Sequence, residues 1–293
     1  MDSDRQSHLK YSLLWVIALL AALLSSGCSL LASSAGDTLA QSVAAGIQNA
    51  DDPETVRQGL PAYLIMMDGF IHRSPDNQQM LEAAATLNSA YAGQFVNDPQ
   101  RSQRLSQKAL DYGLRAVCQR RTAACGIRTL PVEEFQTLID GLDKDDVPAF
   151  YALSSAWAGW IQAHSSDWNA IAELNRVTAI MQRIVVLDEN YQQGSAHLYL
   201  GVLATLVPPA MGGRPEEGQA HFERAIALSE GRNLMAKTLY ARHYARMMFE
   251  KALHDRLLNE VLNSNPRYPD LTLNNILAQQ LAEQLLADTD DYF

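Results

Sequence analysis

Apolar residues recur at helical spacing along almost the whole chain. One such stripe, near the end of the sequence, consists of Leu273, Ile276, Leu277, Leu281 and Leu285. A period of three to four residues places apolar side chains on one face of an α-helix. Strand-like alternation of β-branched residues is essentially absent, and the prolines, Pro61 among them, fall between the periodic runs. We therefore predict an all-α protein of roughly a dozen helices.

Several of these runs end in similar turns. Leu187, Leu228 and Leu262 each close a run, 41 residues separating the first two and 34 the last two. A recurrence near 34 residues is the signature of tetratricopeptide (TPR) repeats. Gly201 would let one helix approach its neighbour closely, and the insertion 207–213 accounts for the longer unit. We predict TPR-like helix-turn-helix repeats stacked into a right-handed superhelical α-solenoid. An irregular helical bundle is the alternative.

The first 27 residues have the features of a secretory signal. Arg5 and Lys10 precede fourteen almost wholly apolar residues, 11–24, a stretch too short to span a bilayer comfortably. The small residues that follow lead to Cys28 in a pattern that resembles the lipobox of bacterial lipoproteins. An ordinary secretory signal or a buried helix are the competing interpretations.

On the lipoprotein interpretation, three segments follow. Residues 1–27 are a lipoprotein signal peptide, residues 28–51 a lipid-anchored tether with Cys28 as the acylated residue, and residues 52–293 a helical repeat domain. Ser29, in place of the Asp that resembles an inner-membrane retention signal, favours an outer-membrane anchor facing the periplasm.

Composition and charge then limit the function classes. The chain of 293 residues carries 23 Lys+Arg against 33 Asp+Glu, a formal net charge of -10, and loss of the signal leaves that charge unchanged. A general nucleic-acid binder needs clustered cations, so nucleic-acid partners are excluded. A hydrophobic fraction of 47% with only 3 Cys excludes disordered and disulfide-rich classes.

Two cysteines remain beyond Cys28. In an oxidising compartment Cys118 and Cys125 can pair across the six residues between them, and two unpaired thiols are the alternative. Because so short a loop restrains little of the unfolded chain, a disulfide here would add about 2 kcal/mol as a local restraint.

The sequence offers no catalytic constellation. The seven histidines are not spaced like metal ligands. The sequence also lacks the motifs of a nucleophile elbow, of a phosphate-binding loop and of a dinucleotide-binding site. Residues 143–146 lack the glutamate of a calcium loop, so we interpret them as a solvated turn that caps the next helix. Residues 211–216 fit a Gly-Gly turn with Pro215 in the first helical turn better than an anion nest. We predict no catalytic residue, no metal and no cofactor.

Three of the four tryptophans lie within residues 150–168. Trp157 and Trp160 share one helical face, and such a stripe is usually core. The functional hypothesis is that some of these rings line an apolar channel together with the inserted turn. The candidate lining residues are Phe150, Tyr151, Trp157, Trp160, Leu206, Pro208 and Pro209.

The order of several segments resembles a known family. The longest are Asp188-Glu-Asn-Tyr-Gln-Gln-Gly-Ser-Ala-His-Leu-Tyr-Leu-Gly201, Pro208-Pro-Ala-Met-Gly-Gly-Arg-Pro-Glu216 and Ala220-His-Phe-Glu-Arg-Ala-Ile-Ala-Leu-Ser229. Together with Leu60-Pro-Ala-Tyr-Leu64 and the final Asp-Asp-Tyr-Phe, they are similar to the T component (TatT) of tripartite ATP-independent periplasmic (TRAP) transporters. The resemblance spans about residues 52–293.

This resemblance implies a non-enzymatic periplasmic lipoprotein with degenerate TPR-like helix pairs. It further implies binding to the TRAP substrate-binding protein, and self-association into a homo-oligomer with a pore or groove for a small organic or hydrophobic solute. Tyr191 and Arg214, at turns of the matching segments, are the candidate partner-binding residues. The alternative function is a TPR adaptor lipoprotein for outer-membrane or appendage assembly.

Overall fold

The computed structural model describes residues 42–293, in which every regular element is helical and no strand is present. This confirms the predicted all-α class. Residues 42–48 are helical, and thirteen further α-helices follow. They are α1 (Pro53–Arg73), α2 (Gln78–Phe95), α3 (Pro99–Arg120), α4 (Val132–Asp140), α5 (Val147–Ala163), α6 (Trp168–Ala172), α7 (Leu174–Asp188), α8 (Ser195–Ala204), α9 (Pro215–Leu228), α10 (Leu234–Leu239), α11 (Lys251–Leu262), α12 (Thr272–Ala287) and α13 (Thr289–Tyr292). A π-helical turn, Tyr240–Ala245, continues α10.

The predicted signal peptide, residues 1–27, and the predicted lipidation site Cys28 lie outside the described residues. The segment just before α1 contacts the connection between α11 and α12. Asn49 and Asp270 exchange two hydrogen bonds of 3.1 and 2.9 Å, and Asp51 pairs with Arg267 at 2.9 Å. Within residues 42–293, no helix has both the length and the hydrophobicity that a membrane span requires.

Asp-Pro pairs begin two of the longest helices. The Asp52 carboxylate accepts a hydrogen bond of 3.0 Å from the backbone N–H two residues later, and Pro53 starts α1. The Asp98 carboxylate caps α3 in a similar way, accepting a hydrogen bond of 2.6 Å from the backbone N–H three residues later, with Pro99 in the first turn. The carboxylate satisfies a backbone N–H that has no partner within the helix, and proline loses nothing at that position.

Pro61 lies inside α1. The prediction that it separates two helices is wrong. A proline within a helix removes one backbone hydrogen bond and costs about 3 kcal/mol. Leu60, Tyr63 and Leu64 beside it are all buried. Their burial offsets the local cost, because each large apolar side chain removed from water contributes about 1.5–3 kcal/mol.

Helices that follow one another in sequence lie side by side within the compact unit Ala45–Phe293. Helix α2 packs against α3, and α5 packs against both. The contacts continue from α5 to α7 and then, one neighbour at a time, to α8, α9 and α10. Helix α12 packs against α10 and α11 and also contacts α1. Each helix therefore buries its apolar face mainly against its neighbours along the chain.

Two of the hydrophobic cores in the described part of the chain lie around α5 and around α9 to α12. The first surrounds Phe150 and Trp157 and draws on α3, α4, α5 and α7, while the second surrounds Phe222 and Leu258 and draws on α9 to α12. Helix α8 contributes Leu200 to the first core and packs Leu198 against the second. This position explains why α8 is apolar on nearly all sides.

Glycines set the distance between α8 and α9. A Cβ atom at Gly201 would lie 2.9 Å from the Phe222 ring, and one at Gly218 would lie 2.5 Å from the Thr205 methyl group. Neither contact is possible without movement of the neighbour. The close helix approach predicted from Gly201 is therefore present.

Gly201→Ala is expected to destabilise the protein by about 1–2 kcal/mol, because overpacking against Phe222 outweighs the gain in helix propensity. Gly59→Ala is the matched control. It lies in α1 with no atom within 4 Å of the added Cβ, and should stabilise by about 0.5–1 kcal/mol. Urea unfolding followed by circular dichroism measures both. A stabilising Gly201→Ala would contradict the close packing.

Candidate functional site

An open cavity of about 420 Å³ lies where α5 begins and α7 ends. It is lined by Arg120, Lys144, Asp145, Val147, Pro148, Asp188 and Tyr191. We call this cavity the tyrosine cleft, because Tyr191 at its wall is the first of three tyrosines in contact.

The three tyrosines pack ring against ring. The Tyr191 ring lies 5.2 Å from that of Tyr151, which lies 6.0 Å from that of Tyr199, both edge to face. Burial raises the pKa of Tyr151 well above its usual value, and raises that of Tyr199 to about 12. All three hydroxyls are therefore protonated at neutral pH. Tyr191 is the member of this cluster that lines the cavity, so its ring and hydroxyl are the groups that a bound molecule could contact.

The turn that carries Tyr191 has an unusual backbone. Gln192, Gln193 and Gly194 are all left-handed, with φ of 45°, 58° and 79°. A left-handed residue other than glycine costs on the order of 1–3 kcal/mol, and such strain concentrates at functional sites. The Gln193 N–H donates to the Asn190 carbonyl at 2.9 Å, which stabilises the turn. The fold thus holds Tyr191 in one fixed position at the cleft.

The charged groups of the cleft are already paired. Lys144 lies 3.2 Å from Asp188, and Arg120 lies 2.8 Å from Asp146. Arg121 also donates to Asp146, at 2.6 Å. The cleft therefore presents no uncompensated cation or anion among these groups.

Asp146 corrects the interpretation of residues 143–146 as a solvated turn. Asp143 and Asp145 are exposed, but the Asp146 side chain is only 1% exposed. Burial alone would raise the pKa of Asp146, yet hydrogen bonds from Arg121, from the backbone N–H of Asp143 and from Arg120 outweigh it, so the pKa is lowered. Two arginines at the end of α3 are what allow this carboxylate to be buried.

The candidate channel residues occupy two different environments. Phe150 and Trp157 have no exposed surface, and Trp160 is 8% exposed, so these rings are core. Leu206, Pro208 and Pro209 are exposed on the turn between α8 and α9. Tyr151, 7% exposed, belongs to the same core, and its ring contacts Tyr191 at the wall of the tyrosine cleft from the inside.

The indole N–H groups of the core tryptophans are satisfied inside the protein. That of Trp157 donates to Glu173 at 2.6 Å, and that of Trp160 donates to Gln107 at 2.7 Å. The Arg128 guanidinium lies 4.0 Å from the centre of a Trp160 ring. These contacts tie α5 to α3 and to the start of α7, a structural role.

Arg214 lies at the end of the inserted turn. Its side chain is 50% exposed and pairs with Glu217 at 2.8 Å, and its backbone N–H donates to the Ala204 carbonyl at 2.9 Å. Gly212 has a φ of 90°, and Pro215 starts α9. The segment is therefore a glycine turn that leads into a helix.

Cys118 and Cys125 are joined by a disulfide, with their Cα atoms 4.4 Å apart. Of the two alternatives for these cysteines, a disulfide or two unpaired thiols, the structure shows the disulfide. Cys125 is exposed, and the bond closes the turn that follows α3.

Sequence reasoning missed two groups. One is Tyr199 behind the cleft. The other is His197, whose Nδ1 lies 2.8 Å from that of His221 while its Nε2 lies 3.1 Å from Glu189. Burial lowers the pKa of both histidines. Their separation of 24 residues carries no motif, so only the pairing of α8 with α9 reveals the contact. Over residues 42–293, no group of three or more side chains is placed to hold a metal ion.

Comparison with known proteins assigns a family to this helical unit. The family TRAP transporter T-component matches residues 49–293, from just before α1 to the last residue. No curated protein matches the chain. The matched range contains all thirteen α-helices and every residue of the tyrosine cleft. The chain therefore belongs to the TRAP transporter T-component family.

Proposed function

We propose that this protein is a non-enzymatic periplasmic lipoprotein of a TRAP transport system. It binds the substrate-binding protein of that system and holds a small organic solute in the tyrosine cleft. The observation that carries the proposal is the family match over residues 49–293, since this family is a transporter component and not an enzyme family. The match favours transport over a role as adaptor in outer-membrane or appendage assembly.

The proposed cellular location follows from the sequence. A lipid on Cys28, after removal of residues 1–27, would hold the helical unit at the outer membrane and facing the periplasm. We further propose that the helices form a TPR-like solenoid. The side-by-side order of the helices and the close approach at Gly201 and Gly218 support this arrangement. Self-association into a homo-oligomer is part of the same proposal.

The cleft favours a solute with an apolar or aromatic body and a polar group. Tyr191, Val147 and Pro148 provide the apolar surface, with Tyr151 and Tyr199 packed behind Tyr191. The paired charges leave little net field for an ion. Strain in the turn that carries Tyr191 supports a functional role for this position.

The proposal is tested by titrating the purified substrate-binding protein of the same transport system onto this protein in an interferometry assay. We expect a saturable complex. Arg214→Ala should weaken it, because the exposed side chain is a proposed partner contact. Arg256→Ala, on the exposed face of α11, is the matched control with a side chain 60% exposed. No complex with the wild-type protein would refute the proposed function, whereas equal binding by Arg214→Ala removes only that contact.

A further inference from the structure

Exposed apolar side chains collect on two neighbouring segments. Of the ten large hydrophobic residues that the described chain exposes, five belong to them. They are Leu206 (44% exposed), Val207 (38%), Met248 (36%), Phe249 (72%) and Tyr292 (42%). The first two lie on the turn after α8, and the others where the π-helical turn meets α11 and α13. Exposed apolar side chains that cluster in this way mark interaction sites.

A strained backbone holds the Phe249 side chain on the outside of the protein. Its φ is 55°, a left-handed conformation that is a genuine outlier for a bulky side chain and costs on the order of 1–3 kcal/mol. Backbone hydrogen bonds on both sides fix it, from the Phe249 N–H to Arg246 at 3.1 Å and from the Glu250 N–H to Ala245 at 2.8 Å. Its ring lies 6.3 Å from that of Tyr292 and 6.4 Å from that of Phe293. None of the three rings belongs to either hydrophobic core.

Tyr244 connects the two segments. Its hydroxyl donates to Gln219, one turn into α9, at 2.9 Å. Burial raises the pKa of Tyr244, and the negative charges of Glu250 and Glu216 raise it further. Glu216 follows the inserted turn and Glu250 follows Phe249. Gly218, next to Gln219, packs against Thr205, the residue that precedes Leu206. The inserted turn and the π-helical turn that leads to Phe249 therefore both pack at the start of α9.

The charge around the aromatic group is negative. Five carboxylates surround it, against the two cations Arg246 and Lys251. The carboxylates are Glu250, Asp255, Asp288, Asp290 and Asp291. Both cations are engaged, Arg246 with Asp288 at 3.1 Å and Lys251 with Asp290 at 3.2 Å.

The negative charge around the aromatic group indicates which kind of partner could bind there. An anionic lipid surface would be repelled, and so would the same acidic face of a second copy, so copies of the chain would associate through another surface. A protein surface with basic residues around an apolar centre is complementary. Its Arg or Lys side chains could lie over the Phe249 ring, whereas Arg246 of this chain already lies 4.5 Å from the centre of the Tyr292 ring.

We propose that Leu206, Val207, Phe249 and Tyr292 form a docking face for a basic surface of the TRAP substrate-binding protein. This inference rests on the proposed function and names the surface through which it operates. Phe249 and Tyr292 are the central anchors, because aromatic residues dominate the binding energy of protein interfaces. The acidic rim steers the partner and makes the complex sensitive to salt.

The test uses the same titration with Phe249→Asn. Asparagine tolerates the left-handed backbone, so the turn is kept while the ring is lost. We expect Kd to rise by roughly tenfold or more, as for an interface anchor. Trp168→Ala is the control, because this ring on α6 is 81% exposed but lies outside the docking face. It should leave Kd unchanged, and added salt should weaken the wild-type complex.

Tyr292→Ser provides a second variant, and thermal unfolding shows that each variant is folded. Wild-type affinity in both Phe249→Asn and Tyr292→Ser would overturn the docking face while the proposed function stands. Failure of the wild-type protein to bind would overturn both. A loss of affinity in Trp168→Ala equal to that in Phe249→Asn would also overturn the docking face.

Discussion

Trp157→Ala is expected to lower the free energy of unfolding by about 3–5 kcal/mol. The side chain has no exposed surface, and its indole N–H donates to Glu173 at 2.6 Å. Truncation leaves a cavity at the centre of the first core and removes a hydrogen bond from a carboxylate that Arg128 also holds. For a domain of this size, we expect the midpoint of thermal unfolding to fall by roughly 10 °C. Thermal and urea unfolding followed by circular dichroism measure the change.

Tyr191→Ala is the contrasting variant. Tyr191 is half-buried at the wall of the tyrosine cleft, so its loss should destabilise the protein by only about 1 kcal/mol. Native mass spectrometry of protein purified from its own organism should show a small organic molecule on the wild type that Tyr191→Ala no longer retains. If instead Trp157→Ala kept full stability and lost the molecule, Trp157 would be a channel residue and its assignment to the core would fail.

Asp146→Asn is expected to lower the free energy of unfolding by about 2–3 kcal/mol. Removing one partner of a fully buried ion pair costs about 3–5 kcal/mol, and the effect is smaller here because Arg120 and Arg121 each keep about a third of their side chain exposed. Asp145→Asn is the matched control in the same turn. Its carboxylate is 88% exposed, so we expect a change below about 0.5 kcal/mol.

The loss of unfolding free energy caused by Asp146→Asn should depend on pH. The pKa of Asp146 in the folded protein is lower than its ordinary value of 3.8, so the folded state binds this proton less readily than the unfolded state. Its contribution to stability is therefore complete above the unfolded pKa and is lost as the pH falls through the folded pKa. Urea unfolding at neutral pH, near pH 5 and below pH 3.8 should show equal differences from wild type at the first two values and a smaller one at the third. A difference that stayed constant through the acid range would contradict the ionised, buried carboxylate.

Much of the fold follows from local pattern. The 3.6-residue period predicts the helices, and Asp-Pro at positions 52–53 and 98–99 marks two helix starts because capping acts over a few residues. Pro61 shows the limit of such reasoning. A local rule ends the helix there, but burial of Leu60, Tyr63 and Leu64 keeps it intact, and that burial depends on neighbouring helices.

The site was less accessible to sequence reasoning. Phe150, Tyr151 and Trp157 are all buried aromatic residues on one helix, yet Tyr151 is the one that packs against Tyr191 at the cleft wall. Nothing within α5 distinguishes them, since the difference comes from which helix covers each face. The same holds for His197 and His221, brought together only by the packing of α8 on α9.

The sequence by itself determined the all-α class and membership of the TRAP transporter T-component family, because helical periodicity and family segments are written in residue order. Only the tertiary structure decided the burial of Asp146, the tyrosine cleft and the outward position of Phe249. Each of these depends on residues far apart in the chain that desolvate, pair with or expose one another. Such contacts form only when the helices pack together, and they cannot be predicted from the spacing of residues within one segment.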